Sequence, residues 1–178
     1  MAARLTSLRP LVDADAPALA ELRVRNRAFF EPWEPTREES WYTLESARRT
    51  IAEQRAARRE DRGHAFGIFV PELVGWANLS AVVRGVFQNA YLGYAVDEAS
   101  NGRGHATAAV VEAVRLAFTE LGLHRVQAAV IPRNLGSLRV LEKAGFRREG
   151  HAERYLRING VWEDHVLFAR TSDDLPVR

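Results

Sequence analysis

The chain has 178 residues, 47% hydrophobic and 27% charged, with a formal net charge of +2; this predicts one globular domain over 1–178 and argues against a whole-protein membrane or nucleic-acid binder, so no direct DNA contact is expected. With no cysteine, disulfides, thiolate zinc sites and a cysteinyl intermediate are excluded. No apolar run approaches the roughly 18 residues of a membrane span, and "MAARLTSLRPLVDADAP" lacks the apolar core of a secretory signal, so a cytoplasmic location is expected.

In chain order, an apolar alternation near Leu5 to Leu11 reads as a strand, and Asp13 then precedes a helical pattern carrying Ala18, Leu19, Leu22 and Ala28. After the breaks at Pro32 and Pro35, Thr36 and Glu39 have capping-box spacing and predict a helix from about Glu38 to Arg59, ended by Gly63. "EQRAARREDR" within it mixes both signs and reads as a solvated face rather than an RNA patch.

"AFGIFV", "LVGWANLSAVV" and "AYLGYAV" predict three consecutive antiparallel strands. From Ala106 the apolar residues Ala109, Val110, Ala113, Val114, Ala117, Phe118 and Leu121 recur at three-and-four spacing, which predicts a helix with one buried face, stopped by Gly122. "RVQAAVI" follows as a strand, then a short helix from about Ser137 to Ala144, then a hairpin in "YLRINGVWEDHVLFA" turning at Asn159-Gly160. Residues 1–3 and 172–178 are expected to be loose. A strand, a helix and a strand in mid-chain make a right-handed crossover between parallel neighbours. The fold class is therefore α/β, a mixed, mostly antiparallel sheet with a central parallel βαβ crossover flanked by helices.

Gly102, Arg103 and Gly104 stand where that crossover helix begins. A helix N-terminus offers unpaired N–H groups and a partial positive charge, so the loop suits an anion, although two glycines also suit a plain tight turn. The P-loop lysine is absent, and Thr107 stands where a dinucleotide fingerprint needs a third small residue. The five histidines show no paired metal-ligand spacing, so no metal is expected.

"NGRGHA" (Asn101 to Ala106) resembles the phosphate-binding loop of the GNAT acetyltransferases, with Asn101 where that family has Gln or Arg, and "PRNLGSLRVLEKAGF" resembles its second signature. The order of strands and helices is also the GNAT order. "NRAFFEPWEPTREES", "FGIF", "ANLSAVVRGVFQNAYLGY" and "YLRINGVWEDHVL" extend the resemblance to the RimJ-like enzymes of its Rim branch, which acetylate ribosomal-protein N-termini. The resemblance implies acetyl-CoA as cosubstrate, bound by Tyr94, Ala95 and Val96 of the strand, by Gly102, Arg103, Gly104, His105, Ala106 and Thr107 of the loop, and by Asn134 and Ser137.

It further implies transfer to a protein N-terminal amine, that of alanine on a small-subunit ribosomal protein, by an enzyme that could form a homodimer. The competing readings are acetylation of a small amine, such as an antibiotic or polyamine, and a non-catalytic CoA sensor or ribosome-binding factor. Ser137 stands where some Rim-type enzymes stabilise the leaving thiolate; it also suits a helix N-cap. Many GNAT enzymes place a tyrosine where this chain has Leu141, and the Rim-type glutamate falls near Leu156. Glu34, Glu153, Tyr94 and His151 suit a general base by type, and spacing selects none of them. "WEDHV" suits a pairing of Glu163 or Asp164 with an arginine. Phe30, Trp33 and Glu34, in an aromatic and acidic stretch, are the candidate acceptor residues; packing between two helices is the alternative role.

Overall fold

A computed structural model describes residues 6–174. Seven strands, β1 (Ser7–Arg9), β2 (His64–Val70), β3 (Glu72–Val83), β4 (Asn89–Val96), β5 (Arg125–Val130), β6 (Arg147–Ile158) and β7 (Val161–Thr171), form one sheet in the order β1-β2-β3-β4-β5-β7-β6. Every neighbouring pair is antiparallel except β4 and β5, which are parallel. The helices are α1 (Ala16–Arg25), α2 (Arg27–Phe30), α3 (Leu44–Arg59), α4 (His105–Thr119) and α5 (Leu135–Lys143).

The three-and-four spacing of α4 buries Ala109, Val110, Ala113, Val114, Ala117 and Phe118. They pack with Leu138 and Leu141 of α5 against Ala77, Leu79, Ala90, Leu92, Val126, Ala128 and Phe168 of the central strands. Val110 and Val114 are wholly buried, each worth about 1.5–3 kcal/mol against exposure. A second cluster, with Leu19 and Leu22 of α1, Ala47 and Ile51 of α3, and Leu73, packs against Trp76. Side chains alternate across a strand, so β5 turns Val126, Ala128 and Val130 to the α4 side, and β7, in register with it, turns Val166 and Phe168 the same way. Ala129 and Leu167 then face the other side.

Several boundaries differ from the sequence reading. β1 ends at Arg9 because Pro10 has no N–H for a ladder; Leu5 lies outside the described residues. The first helical pattern breaks at buried Asn26, whose Nδ2 donates to the Leu22 carbonyl at 2.9 Å and whose Oδ1 accepts from Glu98 N–H at 2.9 Å. The Thr36–Glu39 capping box does not start α3. Glu39 is held by Arg27, and Arg23 Nη1 donates to the Trp41 carbonyl at 3.2 Å, taking it out of any helical ladder. Thr43 is the cap, accepting from Ser46 N–H at 3.2 Å.

The short helix begins at Leu135, capped by Asn134, whose Oδ1 accepts from Ser137 N–H at 3.1 Å; Ser137 is thus not the cap. The hairpin strand β6 starts at Arg147, well before Tyr155. Its edge position, pairing only β7 and breaking register twice, explains why no apolar alternation announces it. Residues 172–174, expected to be loose, make a 3-10 turn, with Thr171 N–H donating to Asp174 Oδ2 at 2.7 Å. Residues 1–3 and 175–178 lie outside the described residues.

Candidate active site

β4 and β5 pair at their starts, through Asn89–Arg125, Ala90–Val126 and Tyr91–Gln127, and part beyond Tyr91. β4 stays with β3 as far as Val96, and β5 with β7 as far as Val130, so the sheet opens between them. Asp97 N–H donates to the Val74 carbonyl at 2.7 Å. Alternate residues of an antiparallel strand turn their backbone groups the same way; Ala95 therefore faces β3, while Tyr94 and Val96 present theirs to the gap. A cleft of about 590 Å³ occupies it, at the carboxyl ends of parallel strands, where open α/β sheets bind ligands.

The glycine loop forms one end of the cleft. Among the described residues, the N–H groups of Gly102, Arg103, Gly104, His105, Ala106 and Thr107 meet no protein acceptor, and the first helical bond runs from Ala108 N–H to the Gly104 carbonyl at 3.0 Å. Gly102 and Gly104 have φ of +73° and +84°, a region that disfavours side chains. A Cβ at either would meet no atom within 4 Å, so the space over these amides is open. This set of unpaired donors at a helix N-terminus fits a pyrophosphate. The start of the loop is tied to α1, Arg25 Nε donating to Asp97 Oδ2 at 2.7 Å. His105 turns its ring away, Nδ1 lying 2.9 Å from Thr6 Oγ1.

The structure brings Tyr94, Ala95, Val96, Gly102, Gly104, His105, Ala106, Thr107, Asn134 and Ser137 to this one cleft, together with Phe30, Trp33 and Glu34. Arg103 is exposed and outside its lining. The Tyr94 hydroxyl lies 2.8 Å from Ser137 Oγ and 3.2 Å from the Ser137 carbonyl. Burial pushes the phenol up to about 12, against a smaller opposite effect of the Ser137 hydrogen bond. Leu141, the position at which the resemblance leads one to look for a tyrosine, is wholly buried core.

The opposite wall comes from the segment after α1. The Asn159 N–H donates to the Glu34 carbonyl at 2.9 Å, and Arg133 donates to the Pro32 carbonyl at 3.3 Å while its guanidinium lies 5.5 Å from the Trp33 ring centre. Arg133 also pairs with Glu163 at 2.7 Å, the arginine partner expected in "WEDHV"; Asp164 instead meets His151 Nε2 at 3.2 Å. Burial raises the Glu34 carboxyl above its ordinary range, opposed by the charges of Arg37 and Arg23. Behind it, buried Arg23 and half-buried Arg37 lie over Trp41, at 3.5 and 4.3 Å from its ring centre. Of the other base candidates, Tyr94 is in the cleft; Glu153 and His151 are exposed on β6 and do not line it.

Arg139, Lys143 and His165 also line the cleft, and sequence reasoning missed all three. Arg139 and Lys143 are four apart on α5, so helical spacing from Asn134 could have found them. His165 gave no local signal, since it reaches the cleft only through the pairing of β7 with β5. Among the described residues, no group of three or more His, Cys, Asp or Glu could hold a metal ion, and no helix is long and apolar enough to cross a membrane.

Residues 4–147 match the family model of the acetyltransferase (GNAT) domain. The chain is 45% identical over 170 residues to the probable N-acetyltransferase YjcK of Bacillus subtilis (strain 168), covering 94% of each. It is 38% identical over 178 residues to the ribosomal protein uS5-alanine N-acetyltransferase of Escherichia coli (strain K12), covering 96% of this chain and 92% of that one. The structure of Mycobacterium smegmatis RimJ in complex with CoA-disulfide matches with a TM-score of 0.94 at 36% identity, over 98% of this chain and 86% of that one.

Proposed function

The chain belongs to the GNAT acetyltransferase family, and from that premise we propose that it acetylates the N-terminal α-amine of a protein, most specifically the N-terminal alanine of a small-subunit ribosomal protein in the cytoplasm. The observation that carries the reading is the gap in the sheet: a cleft with unpartnered amides at one end and an aromatic, carboxylate-bearing wall at the other. The relative acting on the alanine of protein uS5 supports the acceptor, at 38% identity. Acetyl-CoA is the acyl donor and supplies an activated thioester.

In this proposal the amides from Gly102 to Thr107 hold the pyrophosphate, and Arg139 and Lys143 add positive charge for the phosphates. The N–H groups of Tyr94 and Val96, freed by the departure of β5, serve the pantetheine arm and the thioester carbonyl. Ser137 donates its hydroxyl hydrogen to the departing sulfur, oriented by Tyr94. A phenol at about 12 is too weak an acid to protonate a thiolate near 8.5, so the pair stabilises the leaving group by hydrogen bonding, and solvent supplies the proton. Glu34 attracts the cationic amine between Phe30 and Trp33.

The test is competition among four acceptors: peptides starting with alanine and with serine, an N-blocked lysine peptide, and spermidine. The reading requires the highest kcat/KM for the alanine peptide. Preference for spermidine or the lysine side chain would replace it with another acceptor class, and CoA binding without turnover on any amine would favour the sensor.

A further inference from the structure

Resting on the transferase reading above, we propose that His165 is the general base that takes the proton from the attacking amine. His165 is only 3% exposed yet lines the cleft. It stands next to the Val130–Val166 pair, on the strand face of Leu167, opposite the face that carries Tyr94 and Ser137. The ring is held by two contacts: Nδ1 lies 2.9 Å from the Glu163 carbonyl, and the Tyr155 ring packs at 5.5 Å. A carbonyl only accepts, so Nδ1 carries the hydrogen. In the neutral ring Nε2 is then the lone-pair nitrogen, and it has no protein partner among the described residues. A fixed tautomer with a free nitrogen on the acceptor side of a cleft is the arrangement a base needs.

The other base candidates are less suited: Tyr94 bonds Ser137 on the opposite face of the sheet, and burial raises its phenol to about 12. Glu34 is engaged by Arg37 at 3.4 Å and by the charge of Arg23, His151 by Asp164, and Glu153 is exposed outside the cleft. The substrate also suits a mild base: an α-ammonium of pKa about 7.7–8.0 gives up its proton roughly 250- to 500-fold more readily than a lysine ammonium near 10.4. His165 thereby selects α-amines over lysine side chains.

In the step, the amine nitrogen forms its bond to the acetyl carbon, and the carbon–sulfur pair stays with sulfur, which leaves against the Ser137 hydroxyl. His165 Nε2 takes one proton from the α-ammonium before attack and passes it to solvent, and the second nitrogen proton, made acidic as the carbon–nitrogen bond forms, leaves by the same route. The sulfur is reprotonated from solvent. Of the ionisable groups, Tyr155 on β6 packs on the ring and Glu163 on β7 is turned to Arg133, while Glu34, Tyr94, His105, Arg139 and Lys143 share the lining of the cleft.

His165→Asn keeps a donor for the Glu163 carbonyl and loses the base; His165→Ala opens room for added imidazole. For both, kcat on the alanine peptide is expected to fall about 10²-fold or more at pH 7, with KM for acetyl-CoA within about threefold of wild type. The deficit should shrink below about tenfold at pH 9, where the α-amine is already free, and imidazole should restore part of the rate to His165→Ala. Nitrogen-15 NMR of the ligand-free protein should show the neutral His165 ring protonated at Nδ1. Near-wild-type turnover by His165→Asn, a deficit equal at pH 7 and 9, or an Nε2-protonated ring would each overturn the proposal while leaving the transferase reading intact. Failure of the wild type to acetylate any amine would remove both.

Discussion

Replacing Ser137 and Tyr94 singly and together tests how the cleft handles the leaving group. Ser137 Oγ and the Tyr94 hydroxyl are 2.8 Å apart, and in the proposed geometry Tyr94 acts only through Ser137. A hydrogen bond to a charged group contributes about 1.5–3 kcal/mol, and each 1.36 kcal/mol is tenfold in rate. Ser137→Ala is therefore expected to lower kcat about 10- to 10²-fold. Tyr94→Phe leaves the serine in place with a freer rotor, and a loss of about 3- to 10-fold is expected. In the Ser137→Ala background, Tyr94→Phe should cost nothing further, because its partner is gone. The stability change is small by comparison: loss of one neutral hydrogen bond of about 1 kcal/mol moves Tm by about 2–4 °C in a chain of this size. The assay is thiol release on the alanine peptide, with CoA affinity measured in parallel. Multiplicative losses in the double variant, or a neutral Ser137→Ala, would refute the arrangement.

Gly104→Val forces a β-branched residue to φ +84°; about 1–2 kcal/mol of stability should be lost, and CoA affinity measured by calorimetry should fall more than tenfold as the side chain covers the loop amides. Unchanged affinity would show that these amides hold no phosphate. Glu34→Gln should raise KM for the peptide about 3- to 10-fold with kcat nearly unchanged; an unaltered KM would remove Glu34 from the acceptor site. Asp61 is held at about 2 by hydrogen bonds from Arg84 and then His64. A depressed carboxyl stabilises the fold above its unfolded pKa near 3.9, and that contribution disappears as pH falls towards 2. With Asp61 43% exposed, screening limits it to under about 1 kcal/mol. Urea midpoints between pH 4 and 2 should fall less steeply for Asp61→Asn; equal slopes would contradict this.

What could be read from the sequence was what is local in the chain. The period of α4, the Asn159-Gly160 hairpin, and the loop from Gly102 to Thr107 are each defined by neighbours within a few residues, and the structure places all three as expected. Asn134 was expected as a ligand-binding residue, and its side-chain oxygen proves to cap α5. Distance in sequence defeated the rest. Thr36 lost its cap role to contacts of Arg27 and Arg23 that no short window contains. Tyr94 was expected as a cofactor-binding strand residue and a base candidate, but its pairing with Ser137 was hidden because the two are 43 residues apart. His165 looks like one polar residue of an edge hairpin until β7 is laid beside β5.

The central claim is direct acetyl transfer to a protein α-amine across this cleft. It is tested most directly by one mass-spectrometric experiment: a stoichiometric mixture of enzyme, acetyl-CoA and an alanine-starting peptide that also contains an internal lysine, quenched within one turnover. The account predicts one acetyl group on the N-terminal nitrogen, none on the lysine, and an enzyme of unchanged mass at every time point. Acetyl on the lysine alone, or a transient acetylated enzyme preceding the product, would contradict it.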